Sequence, residues 1–159
     1  MATDQLLEVW EDENARTLRV LRAVPEGRMD LRAGKKGWRM GDLCWHIVTA
    51  ERWFCTSAVG LKVSGPDPVP KERPPATVAA MADARVKSHR RLAAAVKRRG
   101  DRWLAATIDL YGLKRTRGQV LDLMLKHEAH HRGQLSVYLR LAGAKVPSIY
   151  GPSADDPGK

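Results

Sequence analysis

The sequence predicts an all-α fold, a four-helix bundle with one long crossover between its second and third helices. Three observations carry that expectation. Apolar residues recur at helical spacing in four separate stretches, a proline-rich segment divides the second stretch from the third, and no run alternates apolar with polar as strands do. At 159 residues the chain has the size of one domain around a single core. We therefore expect one helical domain over 1–159, with an irregular tail from about residue 143.

The first helix is expected from Thr3 to Val24, where Leu6, Leu7, Trp10, Ala15, Leu18, Leu21 and Val24 fall on one stripe and Pro25-Glu26-Gly27 ends it. Gly34, Gly37 and the pair Lys35-Lys36 mark a loop. A second stripe of Leu43, His46, Ile47, Ala50, Trp53, Phe54 and Ala58 then predicts a helix from about Gly41 to Val59. Gly60 to Pro75 holds prolines at 66, 68, 70, 74 and 75 and reads as the crossover. The third helix is expected from Ala76 to Arg99, apolar on one side and basic on the other, with Gly100-Asp101 as its stop. Asp109 to Gly112 reads as a short extended piece or turn. Thr116 suits the N-cap of a fourth helix that runs to Ala142 and closes at Gly143.

Composition narrows the function classes. The 43% apolar and 29% charged content excludes wholesale disorder. No apolar run is long enough for a membrane span, and the start lacks a signal peptide's basic and apolar regions, so a cytoplasmic protein is expected. Cys44 and Cys55 would lie roughly 16 Å apart on one helix, beyond disulfide reach, and read as two small buried hydrophobes. The charge of +10 admits an acidic small molecule or nucleic acid as partner. Against nucleic acid, the basic run Lys87, Arg90, Arg91, Lys97, Arg98, Arg99 and Arg102 has no interleaved aromatics, only Trp103 at its end, and reads as a solvated face.

The chemistry concentrates in the fourth helix, in Lys126-His127-Glu128-Ala129-His130-His131-Arg132-Gly133-Gln134. His127 and His131 lie about 40° apart on one face, one turn above the other, which suits two imidazoles converging on one divalent metal. Val120, Leu123, Met124, Gln134 and Tyr138 share that face, so the pair is expected to point inward. His130 falls about 60° to the other side. The alternative is a pair of hydrogen-bonded core histidines. A third ligand should come from another helix, and His46, on a stripe with Leu43, Ala50, Trp53 and Phe54, is the best placed. His89 sits on a core face too, but between polar flanks. The string also satisfies H-E-x-x-H, with Glu128 as the base of a metalloprotease; no downstream third ligand follows, which weighs against that reading.

Taken together, Trp45-His46-Ile47, Glu51-Arg52-Trp53-Phe54, His127 with His131-Arg132-Gly133-Gln134, and Pro147-Ser148-Ile149-Tyr150-Gly151-Pro152 with Asp155-Asp156 resemble the DinB-like (damage-inducible) metal-dependent bundle superfamily. The resemblance spans nearly the whole chain. It implies a four-helix bundle, commonly a homodimer, holding a metal through positions that map onto His46, His127 and His131. It also implies an activity related to transferases that use low-molecular-weight thiols.

Three neutral imidazoles leave a divalent metal its charge and an open position, the mark of a catalytic site. Zinc and nickel head the metals expected. Such a metal activates water or a thiol, so both hydrolysis and thiol transfer to a small electrophile are available, and the resemblance favours transfer. A non-enzymatic nucleic-acid binder is the alternative of another class. Trp53, Gln134 and Tyr138 are the candidate substrate contacts, with core packing as their plainer role. The homodimer is expected to use apolar residues of the first and third helices.

Overall fold

The computed structural model describes residues 2–63 and 73–157. Helix α1 covers Thr3–Arg22, α2 Met40–Trp53, α3 Val78–Ala105 and α4 Arg117–Leu141. The four pack as a bundle in which α1 and α2 each contact both α3 and α4. Residues 64–72 of the expected crossover, with Pro66, Pro68 and Pro70, lie outside the described residues. Among those described, no helix is long and apolar enough to cross a membrane.

The helix starts have identifiable causes. Thr77 caps α3 by accepting from the Ala80 N–H, while the Glu26 carboxylate accepts from the N–H groups of Val78 and Ala79. Thr116 caps α4, as the sequence suggested, and the structure adds a reciprocal bond from the Thr116 N–H to the Gln119 side chain. The expected stop at Gly100 is a kink: its φ of 69° and ψ of −174° leave helical space, and a further turn runs on to Ala105. Asp101, just past that kink, then accepts from both the backbone and the hydroxyl of Thr3, pinning the start of α1 to the end of α3.

Two departures from expectation matter. The extended piece near Asp109 is a two-stranded antiparallel hairpin, β1 Thr107–Leu110 with β2 Leu113–Thr116, turning through Tyr111 and Gly112 at positive φ. β1, Thr-Ile-Asp-Leu, alternates in sequence and in burial, but over only four residues, and β2, Leu-Lys-Arg-Thr, is mostly exposed and does not alternate, so the pair gives little strand signal. The second helix also ends early as an α-helix and continues from Phe54 to Ala58 as a π-helical turn, closed by a bond from the Val59 N–H to the Phe54 carbonyl of 3.0 Å.

The core is two apolar clusters separated by a polar layer at mid-height. One gathers Leu21, Met40, Ile47, Met81, Leu135 and Leu139, the other Leu6, Trp10, Cys55, Val96, Leu121 and Met124. Between them each helix contributes polar residues: Glu13, Asn14 and Thr17 from α1, Glu51 from α2, Arg85 and His89 from α3, Glu128 and Arg132 from α4. Both cysteines are buried and unpaired, as expected. On the helices, exposed large apolar side chains are Leu123, Val137 and Leu141 of α4 and Val9 of α1; Trp38, Tyr111, Leu113 and Tyr150 are exposed outside them.

Candidate metal centre

At the level of the polar layer α2 and α4 bring three imidazoles together on their shared rim. The His46 Nε2 lies 3.3 Å from that of His127 and 3.1 Å from that of His131, and the latter two are 3.1 Å apart. Zinc–nitrogen bonds of about 2.0–2.1 Å at tetrahedral angles put ligand nitrogens about 3.3–3.4 Å apart, so the spacing fits a divalent ion. The chemistry of the donors fits as well. Each Nε2 has a single hydrogen-bonding direction, so hydrogen bonding can pair two of the three and leaves the third without a partner. The cluster could therefore hold a metal ion.

The electrostatics keep these rings neutral. Burial, then the neighbouring His131 and His127, push His46 down to about 4. Burial, then His131 and His130, push His127 to about 4 as well. Burial also lowers His131, against an opposing hydrogen bond with Gln134. At neutral pH all three carry a lone pair.

The surroundings orient the rings. The His131 Nδ1–H donates to the Gln134 Oε1 at 2.7 Å, which leaves the Nε2 lone pair facing the other two imidazoles. Trp38 stands edge-on to His46 at 4.8 Å and stacks on His131 at 6.1 Å and 17°. Its loop is held by the Tyr138 hydroxyl, which donates to the Trp38 carbonyl at 2.7 Å, and by Arg32, which donates to the Gly37 carbonyl. Gly37 itself must be glycine, because a Cβ there would meet the Ala33 carbonyl oxygen at 2.7 Å. The His127 Nδ1 is buried with no hydrogen-bond partner among the described residues.

Two cavities flank the cluster. One, of about 490 Å³, lies between the 33–38 loop and α4, lined by Lys36, Trp38, His131, Gln134 and Tyr138 among others. The second, of about 340 Å³, is lined by His46, Thr49, Ala50, Trp53, Phe54 and His127. Trp53 borders the second cavity, while Gln134 and Tyr138 border the first, the Gln134 Oε1 engaged by His131 and the Tyr138 hydroxyl by the Trp38 carbonyl.

The structure corrects the expected inward orientation of the pair. His46, His127 and His131 are half-buried, and Leu123 and Gln134, placed on the interior stripe by spacing, are exposed. His130 is exposed, with its ring 5.0 Å from that of His131. His89 lies in the polar layer, bonded to Glu51 and Glu11 at 2.8 and 2.9 Å. The Glu128 of the H-E-x-x-H string points the other way: fully buried, it is paired with Arg85 through two bonds of 2.9 Å. Trp38 was missed in the sequence because a loop residue has no periodicity to betray the face it covers.

The fold is thus a helical bundle whose second and fourth helices carry a half-buried cluster of three neutral histidines that could hold a metal ion. The chain belongs to the DinB family, whose family model matches residues 1–158. It is 29% identical to YrdA, an uncharacterized protein of Bacillus subtilis strain 168, over 96% of this chain and 90% of that one. A crystal structure of a DinB-like protein from Bacillus cereus ATCC 10987 superposes with a TM-score of 0.81 at 28% identity, covering 94% of this chain and 98% of the other. A DinB-like protein, YjoA of Bacillus subtilis, shares the fold with a TM-score of 0.71 at 20% identity, over 89% of this chain and 94% of that one.

Proposed function

We propose that this chain is a metal-dependent enzyme that joins a low-molecular-weight thiol to a small electrophile, with His46, His127 and His131 holding one divalent transition metal, zinc or nickel. The observation that carries the reading is the convergence of three neutral Nε2 atoms at 3.1–3.3 Å on a half-exposed rim. A divalent ion on three uncharged imidazoles retains its charge and an open position, and so lowers the pKa of a thiol brought to it. In the transfer the thiol gives its proton to solvent, sulfur forms the new carbon–sulfur bond with its own electron pair, and the leaving group departs with the pair of the bond that breaks. Gln134 fixes the His131 ring, and Trp38 packs edge-on to His46 and against the face of His131.

Hydrolysis by the same centre is the second reading, and the geometry weighs against it. Water attack at a metal is commonly assisted by a carboxylate base. Here Glu128 is committed to Arg85, and among the described residues neither cavity is lined by a carboxylate. A thiol of lowered pKa needs no such base. The reading takes the protein as cytoplasmic, which its two buried free thiols suit, and as a homodimer rather than a nucleic-acid binder, which the exposed Leu123, Val137 and Leu141 of α4 suit.

Elemental analysis of untagged protein should find about one zinc or nickel per chain. In cobalt-substituted protein an added thiol should raise a sulfur-to-cobalt charge-transfer band, with affinity rising with pH below the free thiol's pKa, about 8.5 for a cysteine-like thiol. An unchanged spectrum together with turnover of an ester or amide would replace transfer with hydrolysis.

A further inference from the structure

The two cavities beside the histidine cluster differ in what they offer a ligand. The one bordered by Trp53 and Phe54 has no charged side chain in its lining. Its polar groups are few: the Thr49 hydroxyl donates to the Trp45 carbonyl at 2.9 Å, the Nε2 atoms of His46 and His127 face each other, and the His127 Nδ1 is the one buried atom of these rings and this hydroxyl left without a partner among the described residues. A charged group buried there would lose its hydration with at most one neutral imidazole nitrogen and no opposite charge in return. An apolar group loses nothing of the kind and gains in proportion to the area it removes from water. The walls are aromatic, with Trp53 edge-on to Phe54 at 5.0 Å and Phe54 edge-on to His127 at 5.3 Å.

A second observation marks the same place. The α-helix becomes π-helical at Phe54, the residue that forms this wall, and π-helical turns are costly features that recur at functional sites. Across the cluster the loop cavity presents the Lys36 ammonium and the Gln134 side chain. Both are exposed and suited to an anion.

Building on the thiol-transfer reading, we infer that the two cavities sort the reactants by charge: the Trp53–Phe54 cavity takes an uncharged aryl or alkyl group of the electrophile, and the Lys36 cavity takes a carboxylate-bearing thiol. The histidine cluster lies between them, so the reacting carbon and sulfur meet from opposite sides. Trp53 is then a specificity-determining residue, and Lys36 acts only on the thiol's affinity.

The test uses metal-free full-length protein, which separates it from any assay of transfer. The indole N–H signals of the five tryptophans, assigned by single Trp→Phe changes, report where each probe binds. Chlorobenzene should shift the Trp53 signal, and benzoate, its charged counterpart, should bind there about tenfold or more weakly. N-acetylcysteine should shift Trp38 and not Trp53. Lys36→Gln should weaken its binding about two- to fivefold at low salt, the range of one exposed charge. Trp53→Ala should lose chlorobenzene binding while leaving N-acetylcysteine at Trp38 unchanged, which also shows that the variant is folded. Chlorobenzene shifting Trp38 alone, benzoate binding beside Trp53 as well as chlorobenzene does, or no probe binding at either indole would overturn the assignment. Failure of the metal-loaded protein to conjugate any thiol would remove the transfer reading, while the charge preference of each cavity is read from the indoles.

Discussion

One turn of α4 serves two polar clusters with opposite physical requirements. His127 and His131 face α2 and the rim; Glu128 and Arg132, each one residue further on, face α1 and α3. On the rim the groups are neutral, half-buried and short of hydrogen-bond partners. Inside, Arg85 and Glu128 have no exposed surface, and their charges are matched: Arg85 meets Glu128 twice at 2.9 Å, Glu51 at 3.1 Å and Asn14 at 2.9 Å. Glu51 in turn accepts from the Trp10 indole and His89, and Arg132 binds Glu13 and Tyr150. The difference teaches what each is for. A network whose charges are paired, with only the Glu51 Oε2 and the Arg132 Nε left without a partner among the described residues, holds four helices in one register, whereas an accessible set of neutral lone pairs could hold a ligand.

Removing one partner of the matched set should have the largest effect. Arg85→Ala strands two buried carboxylates, and urea unfolding should show a loss of about 3–5 kcal/mol. His46→Ala, His127→Ala and His131→Ala should instead each abolish most metal binding by elemental analysis while the metal-free protein unfolds within about 1 kcal/mol of the parent. A ligand variant that keeps full metal occupancy would sink the three-histidine assignment. Gln134→Ala, which frees the His131 ring, should weaken metal affinity about 10- to 100-fold without removing a ligand.

The clusters should also answer pH with opposite signs. For His89, burial lowers the pKa, but the hydrogen bond and charge of Glu51 and the bond to Glu11 outweigh it, and the net shift is upward. Its contribution to stability is fully present below the unfolded value of about 6.5 and is lost as pH rises through the folded value. His46 and His127 are shifted down to about 4, so in metal-free protein their contribution is present above about 6.5 and is lost as pH falls toward 4. Unfolding curves should show His89→Gln costing more at pH 5.5 than at pH 8.5, and His46→Ala relieving the acid loss. Equal costs of His89→Gln at both pH values would mean that His89 is not a charged member of the network. Smallest of all, the exposed His130→Ala should change stability by less than about 0.5 kcal/mol and leave metal content intact.

Much of this architecture is legible in the chain. Four apolar stripes, Thr116 as a cap and glycine at 143 mark the helices, and Gly100 marks the kink within α3, because periodicity, capping and left-handed backbone are local properties. The i,i+4 spacing of His127 and His131 is local too, and it alone puts two imidazoles on one face. Where local signals are weak the chain says less: the hairpin alternates over only the four residues of β1 and not at all in β2, and the stripe through Phe54 and Ala58 reads as plain helix where the structure has a π-helical turn.

What the tertiary structure decided is which faces meet. Spacing places Glu128 beside His127 in an H-E-x-x-H string, but only the packing of α3 against α4 puts Arg85 on that carboxylate and takes it away from the histidines. Spacing makes His46 and His89 similar, each on a core stripe. The crossing of α2 with α4 sends one to the rim, and Glu51 with Glu11 holds the other in the interior. Trp38 reaches the site because its loop folds over α4, and no pattern along the chain encodes that. The sequence by itself determined the helices and the paired imidazoles, since these depend on neighbours within a turn or two. Their third partner, their exposure and the charge of what surrounds them depend on residues some 40 to 120 positions away, brought together only by the bundle's packing.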